Sequence, residues 1–325
     1  MNGNEPATPR RSRALYWSAS IAIAAALLYF SLRGIEWGRV WTVLKSARPG
    51  IVALALGVIS FNLLLRSLRW RVLLAADRVV PIPLTFWATC SGYLGNSVLP
   101  ARAGEVVRTL IISSRSGISR AYVLTTAFSE RIIDAVVLLL VSVAVLFALP
   151  QRPGWIGPAA RPIAILGLAG VAAIALLPAF ESFWVRLLGR IPVGAGIRVH
   201  LEDALRHVLQ GVRSFHDRGR LLRFFLFTTV IWLLDGLIAA TIARAVGLTF
   251  SIPLTFLLVA GLGLGSALPS TPGYVGIYQF VAVSILTPFG FSRSDSIAYI
   301  ICFQGIMYVA ILVWGLLGLQ KQRSA

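Results

Sequence analysis

The 325-residue chain is predicted to be an all-α polytopic membrane protein made of inverted-topology repeats, each with a helical hairpin broken by glycine and proline. Three observations lead there. Hydrophobic residues are 57% of the chain and charged residues 13%, where a soluble domain carries about a quarter. The apolar residues gather in runs of about 20, the length that crosses about 30 Å of hydrocarbon. An apolar pattern interrupted by glycine and proline also occurs twice, about 170 residues apart.

Continuous spans are expected at roughly 14–32, 51–68, 121–149, 162–180, 221–243 and 297–319. The first follows Arg10, Arg11 and Arg13 and could be mistaken for a secretion signal. It is too long for a signal's apolar region and lacks a small-residue cleavage site, so it reads as a retained helix after a cytoplasmic tail at 1–13. One membrane domain then covers 14–320, with repeat 1 at about 51–149 and repeat 2 at about 221–319. Between them, in 181–220, Leu201, Leu205, Val208, Leu209, Val212 and Phe215 recur at helical spacing. This connector suits an amphipathic helix on the anionic cytoplasmic surface, or a helix packed under the bundle.

The net charge of +18 would point to nucleic acid in a soluble protein. Here the arginines sit in loops between apolar runs, as the positive-inside rule requires, and no helix-turn-helix or zinc-knuckle pattern occurs. No nucleic-acid partner is expected. With the N-terminus inside, twenty-one Lys and Arg fall on the cytoplasmic side, Arg66 and Arg69 among them, against eight outside. That bias places both termini in the cytoplasm of a cell-membrane protein. Cys90 and Cys302 lie in apolar runs, and His200, His207 and His216 share the connector without a carboxylate cluster. Neither a disulfide framework, a metal site nor a cofactor is expected.

Two further apolar stretches, 82–112 and 252–290, are either re-entrant hairpins or pairs of short crossings. Both open on I-P-L-T-F, at Ile82–Phe86 and Ile252–Phe256. Downstream, Gly92, Ser97, Leu99, Pro100, Gly104 and Val106 match Gly261, Ser266, Leu268, Pro269, Gly273 and Val275. Each stretch lies between two spans, and the spans put the two units in opposite orientations. Inverted repeats with broken segments at matching places point to a transporter's midplane site. Non-helical backbone at membrane depth survives only against protein or a wet cavity. The hinge candidates are Gly92, Pro100, Gly104, Gly261, Pro269, Pro272, Gly273 and Gly276; the alternative is that the glycines only let helices approach closely.

Ionisable residues at membrane depth are functional candidates by default. Arg102, Glu105 and Arg108 line one side of a helix, suited to a phosphate or acidic head group or to anchoring the hairpin as a closed ion cluster. Glu130, ten residues past Arg120, is about 15 Å into the membrane. Arg131 and Asp134 can pair as i, i+3 neighbours, which leaves a spare negative charge for Arg102, Arg108 or a coupling proton; a structural ion network is the alternative. Asp235 is either protonated or paired with a buried arginine. Asn96, Tyr278 and Gln279 join the substrate-binding candidates from the broken stretches.

P-x-R-x-G-E-x-x-R at Pro100–Arg108, E-R-x-x-D at Glu130–Asp134 and L-P-x-T-P-G-x-x-G at Leu268–Gly276 together resemble the lysylphosphatidylglycerol synthase transmembrane family, the flippase-like domain, over about 14–320. The resemblance implies movement of lipids with polar head groups between leaflets: aminoacyl phospholipids, hopanoids or polyprenyl-linked sugars. It does not extend to the soluble aminoacyltransferase domain of the full synthases, so lysine transfer is not expected. The last motif usually continues G-V-x-E; here Gly276, Ile277, Tyr278 and Gln279 follow, keeping a hydrogen-bonding group and losing the charge.

The expected function is therefore a lipid flippase, not an enzyme, with a membrane lipid as substrate, the bilayer as its medium and a separately encoded lipid-biosynthetic enzyme as a partner. A lipid-linked glycosyltransferase or phosphatase and a non-transporting envelope scaffold are the alternatives.

Overall fold

The computed structural model describes residues 22–99, 103–148, 217–266 and 272–323, together with 162, 164–170, 172 and 186. The described secondary structure is helical. A short α1 (Ala22–Leu32) leads to α2 (Trp37–Lys45). The first unit is α3 (Pro49–Leu74), α4 (Ile82–Val98), α5 (Gly104–Ser116) and α6 (Arg120–Ala148). The second is α7 (Arg218–Ala245), α8 (Ile252–Gly265), α9 (Ile277–Leu286) and α10 (Arg293–Arg323), with 3₁₀ turns at Pro272–Tyr274 and Thr287–Phe289. Of these, α3, α6, α7 and α10 are long and apolar enough to cross a membrane. The chain is a multi-pass membrane protein. Its outer faces carry Leu54, Phe61, Phe128, Leu226, Leu237 and Leu312 exposed, where a soluble protein would place charges.

The repeated pentapeptide does the same work twice. Proline stands in the first turn of both α4 and α8, where its missing N–H costs no hydrogen bond. Thr85 donates its hydroxyl to the Pro81 carbonyl at 3.1 Å, and Thr255 donates to the Ser251 carbonyl at 2.9 Å. Four short helices resolve the two broken stretches into hairpins, α4 with α5 and α8 with α9. At 17 residues α4 is about 25 Å long, short of a full crossing.

Packing exchanges partners between the units. Helix α3 runs along α7, while α4 packs on α10 and α6 packs on α8. The central pair is antiparallel: the Arg48 N–H meets the Ala245 carbonyl at one end, and Arg69 meets Thr228 toward the other. Glycine permits the closest approach in the first hairpin. A Cβ on Gly104 would fall 1.9 Å from the Gly92 carbonyl oxygen, and one on Gly95 would fall 2.8 Å from the Gly104 Cα. In the second hairpin, Gly261 and Gly265 receive the side chains of Ile277, Val281 and Ile285 instead.

The first unit departs from expectation at its opening helix. Helix α3 does not end near residue 68 but continues to Leu74, so Arg66 and Arg69 lie within the bundle and not in a cytoplasmic loop. Partners inside the protein make this possible, and with Arg108, also buried, three arginines leave the cytoplasmic count. The basic stretch at 33–48 holds a helix, α2, whose Trp37 and Trp41 are exposed beside Lys45, a composition suited to a membrane interface. Its Arg39 binds Asp295 of α10 through two 2.8 Å hydrogen bonds, which hold the guanidinium above its ordinary pKa. Cys90 is a core residue, as its apolar run predicts, whereas Cys302 is half-buried. The segment at 162–180 is helical where described, with Gly167 and Gly170 packed against α6. The connector's apolar repeat, the three histidines, Pro100, Arg102 and Pro269 lie outside the described residues.

Candidate functional site

Between the units lies a cavity of ≈ 200 Å³. Every helix of the two units except α5 contributes to its wall. Its volume is below the about 300–1,000 Å³ typical of pockets that enclose drug-sized ligands, so it suits a small head group. Aromatic side chains stand among aliphatic ones on the wall: Tyr93, Trp232, Tyr274, Tyr278, Phe303 and Tyr308. Tyr274 and Tyr278 are stacked, with centroids 5.2 Å apart and 13° between ring planes. Tyr274 adopts a positive φ of 61°, in the turn that lets the pair form.

Two arginines also reach this wall. Arg66 on α3 binds Asp235 on α7 at 2.5 Å and donates to the Tyr93 hydroxyl at 3.2 Å. Asn62 donates to the other Asp235 oxygen at 2.7 Å. Arg66 and Asp235 hold corresponding places in the antiparallel pair, each seventeen residues past the start of its helix (49 to 66, 218 to 235). Arg131 on α6 is 25% exposed, the most open of the interior arginines, and its guanidinium lies 5.8 Å from the Tyr93 ring centre.

Beside the cavity the charges form an alternating chain. Arg131 pairs with Glu105 at 2.9 Å, Glu105 with Arg108 at 2.5 Å, and Arg108 with Glu130 at 3.0 Å. Glu130 pairs with Arg69 at 2.6 Å, and Arg69 with Asp134 at 2.6 Å. The four inner members, Glu105, Arg108, Glu130 and Arg69, are buried away from the cavity; the two end members, Arg131 and Asp134, line it. The inner arginines also lie on aromatic faces, Arg108 4.3 Å from the Trp70 ring and Arg69 5.2 Å from Phe224. Stacking suits guanidinium, which is weakly hydrated.

The predicted site therefore divides. Asn96, Arg131, Asp134, Tyr278 and Gly273 line the cavity. Glu105, Arg108 and Glu130 do not; they hold α5 to α6 and α3. Arg131 and Asp134 do not pair with each other, because Glu105 and Arg69 take them, and among the described residues this chain of pairs leaves no carboxylate without a guanidinium. Gln279 is not on the wall either. Its Oε1 accepts the Gly276 N–H at 2.8 Å, and its amide donates to Gln304 at 2.6 Å. Gln304 in turn donates to the Gly273 carbonyl at 3.1 Å, so the pair braces the turn that presents Tyr274 and Tyr278. Gly273 and Gly276 need glycine, with φ of 72° and 91°. Pro272 opens the turn. Sequence reasoning missed Arg66, Asn62, Tyr93, Trp232 and Tyr308 as wall residues. The signal for Arg66 was its repeat-equivalent position opposite Asp235.

The chain belongs to the family of the lysylphosphatidylglycerol synthase TM region, whose model matches residues 17–315. It is also similar to a protein named glycosyltransferase AglD from Haloferax volcanii, 25% identical over 309 residues. That match covers 83% of this chain and 48% of the relative, so the chain spans about half the relative's length. No solved structure matches.

Proposed function

We propose that this protein is a flippase that carries the head group of a polar lipid through the cavity while the acyl chains stay in the bilayer. One observation carries the reading: a small cavity, walled by both units, with the charged side chains of Arg66, Arg131, Asp134 and Asp235 on its lining. Charged residues at that depth mark substrate pathways. The exchanged helix pairings support a mechanism in which one unit rocks against the other along α3 and α7, opening the cavity to each leaflet in turn. The family adds lipids of the aminoacyl, hopanoid or polyprenyl-linked sugar classes as candidate cargo.

The test is flipping of head-group-labelled lipids in proteoliposomes, read by loss of label to a membrane-impermeant quencher. Wild type should scramble or translocate its lipid, and Arg131→Ala should slow this at least tenfold at equal reconstitution. Equal rates in Arg131→Ala, or no flipping of any candidate class by folded wild type, would count against the proposal. A second reading is lipid-linked glycosyl transfer, favoured by the printed name of the similar protein. It would gain ground if the purified chain formed a new glycosidic bond from a lipid-linked sugar and an acceptor.

A further inference from the structure

We propose that the end of the bundle around α2 is a docking surface for anionic lipid head groups, a lipid site apart from the cavity. Helix α2 is built to lie along a membrane surface. Val40 is buried, and Val43 and Leu44 join it against the main core. Trp37 and Trp41, four residues apart and so on one flank, are 55% and 60% exposed. Lys45 follows one turn later, its Nζ 5.2 Å from the centre of the Trp41 ring. Tryptophan settles where hydrocarbon meets head groups, and the long lysine stem carries its ammonium outward to the phosphate layer.

Charge names the occupant. Six basic residues gather at this end: Arg33 and Arg39, Lys45 at the close of α2, Arg48 ahead of α3, Arg244 in the last turn of α7 and Arg293 at the start of α10. The Arg48 N–H bonds the Ala245 carbonyl at 3.0 Å, so the chain segments of Arg48 and Arg244 are neighbours. Among the described residues the carboxylates at this end are Glu36 and Asp295, and Arg39 takes Asp295. Lys45, Arg48 and Arg244 are exposed, and none of the three has an ion pair among the described residues. On the orientation read from the sequence this is the external face, where the positive-inside rule leaves few cations. Unpaired cations at a membrane surface draw anionic head groups. The connections here are short, 33–36 before α2, 46–48 after it and 246–251 between α7 and α8. They keep the cations level with Trp37 and Trp41, in the head-group layer, and not on an arm that would reach a partner standing off the membrane.

The docked helix also holds the second unit. Arg39 pairs with Asp295, the Glu36 N–H bonds the Ser294 hydroxyl at 3.0 Å, and Arg293 donates to the Ser31 carbonyl at 3.3 Å. These bonds tie α1 and α2 to the first turn of α10, the helix that carries Gln304 to the Gly273 turn. Anionic lipid on α2 therefore steadies the second unit from its edge.

The full chain in detergent, titrated by native mass spectrometry with phosphatidylglycerol and phosphatidylcholine of the same short chains, tests this. Wild type should bind phosphatidylglycerol at least about thirtyfold more tightly, from about fivefold per unpaired cation. The margin should shrink as ammonium acetate is raised, because exposed charges are screened. Lys45→Gln combined with Arg48→Gln should weaken phosphatidylglycerol about ten- to thirtyfold, leave phosphatidylcholine unchanged and melt like wild type. Arg131→Ala should keep the preference. A preference lost in Arg131→Ala and kept in the double variant would put the anionic lipid in the cavity and overturn the surface site. Equal affinity of wild type for the two lipids, or a preference indifferent to salt, would overturn it as well, whether or not the double variant folds. Soluble polyglutamate that displaces phosphatidylglycerol at equal charge would overturn the lipid assignment, because the face would then take any polyanion.

Discussion

The two hairpins are built on one pattern and held by different chemistry. In the first, α5 carries Glu105 and Arg108 into a buried ion chain with α6 and α3. In the second, residues 252–289 contain no charged side chain, and amide groups brace the turn through Gln279 and Gln304. The packing differs accordingly. Backbone meets backbone where α5 crosses α4 at Gly92, Gly95 and Gly104, whereas α9 fills the glycine notches of α8 with Ile277, Val281 and Ile285. A charged chain fixes the geometry of the first hairpin firmly, since every member has a partner to lose. The neutral hairpin, with its positive-φ turn and aromatic pair, is the part of the wall held by the weaker set of bonds. We infer that the second hairpin moves more easily and shapes the cavity around the head group.

The largest effect should come from breaking the charged side. Arg69 holds Asp134 and shares Glu130 with Arg108, so Arg69→Met should cost about 3–5 kcal/mol and leave little folded protein in a detergent melting curve. A melting temperature within a degree or two of wild type would show that the ion chain does not hold α3 to α6. On the neutral side Gln279→Leu unpairs the Gly276 N–H and one Gln304 group, a smaller loss of about 1–3 kcal/mol. Its protein should remain folded and bind lipid less well, because the turn under Tyr274 and Tyr278 loosens. If it melted as early as Arg69→Met, the contrast between the hairpins would fail.

Much of the fold was legible in the sequence because its signals are local. Continuous apolar runs marked α3, α6, α7 and α10, and proline in a repeated pentapeptide marked where α4 and α8 begin. The candidate charges were legible for the same reason, as each sits at a cost in an apolar run. Their partners were not, because pairing is set by helix packing and not by spacing. Spacing offered Asp134 to Arg131 at i, i+3, but the fold brought Arg69 to Asp134 from 65 residues away. Arg66 and Arg69 were counted on the cytoplasmic side because the apolar window closes at 68, between them, yet their carboxylate partners let α3 run on past both. Gln279 read as a head-group contact because it follows a family motif; its side chain turns back to its own N-terminal turn, a choice that composition cannot reveal.

The central claim is that a lipid head group occupies the cavity between the two units, and photocrosslinking tests it most directly. A lipid with a photoreactive head group would be reconstituted with the full chain, irradiated and mapped by peptide mass spectrometry. The account predicts adducts on wall residues such as Tyr93, Trp232, Tyr278 and Tyr308, lost when excess unlabelled lipid competes. Adducts confined to outward residues such as Leu226 and Leu312, indifferent to competitor, would contradict it.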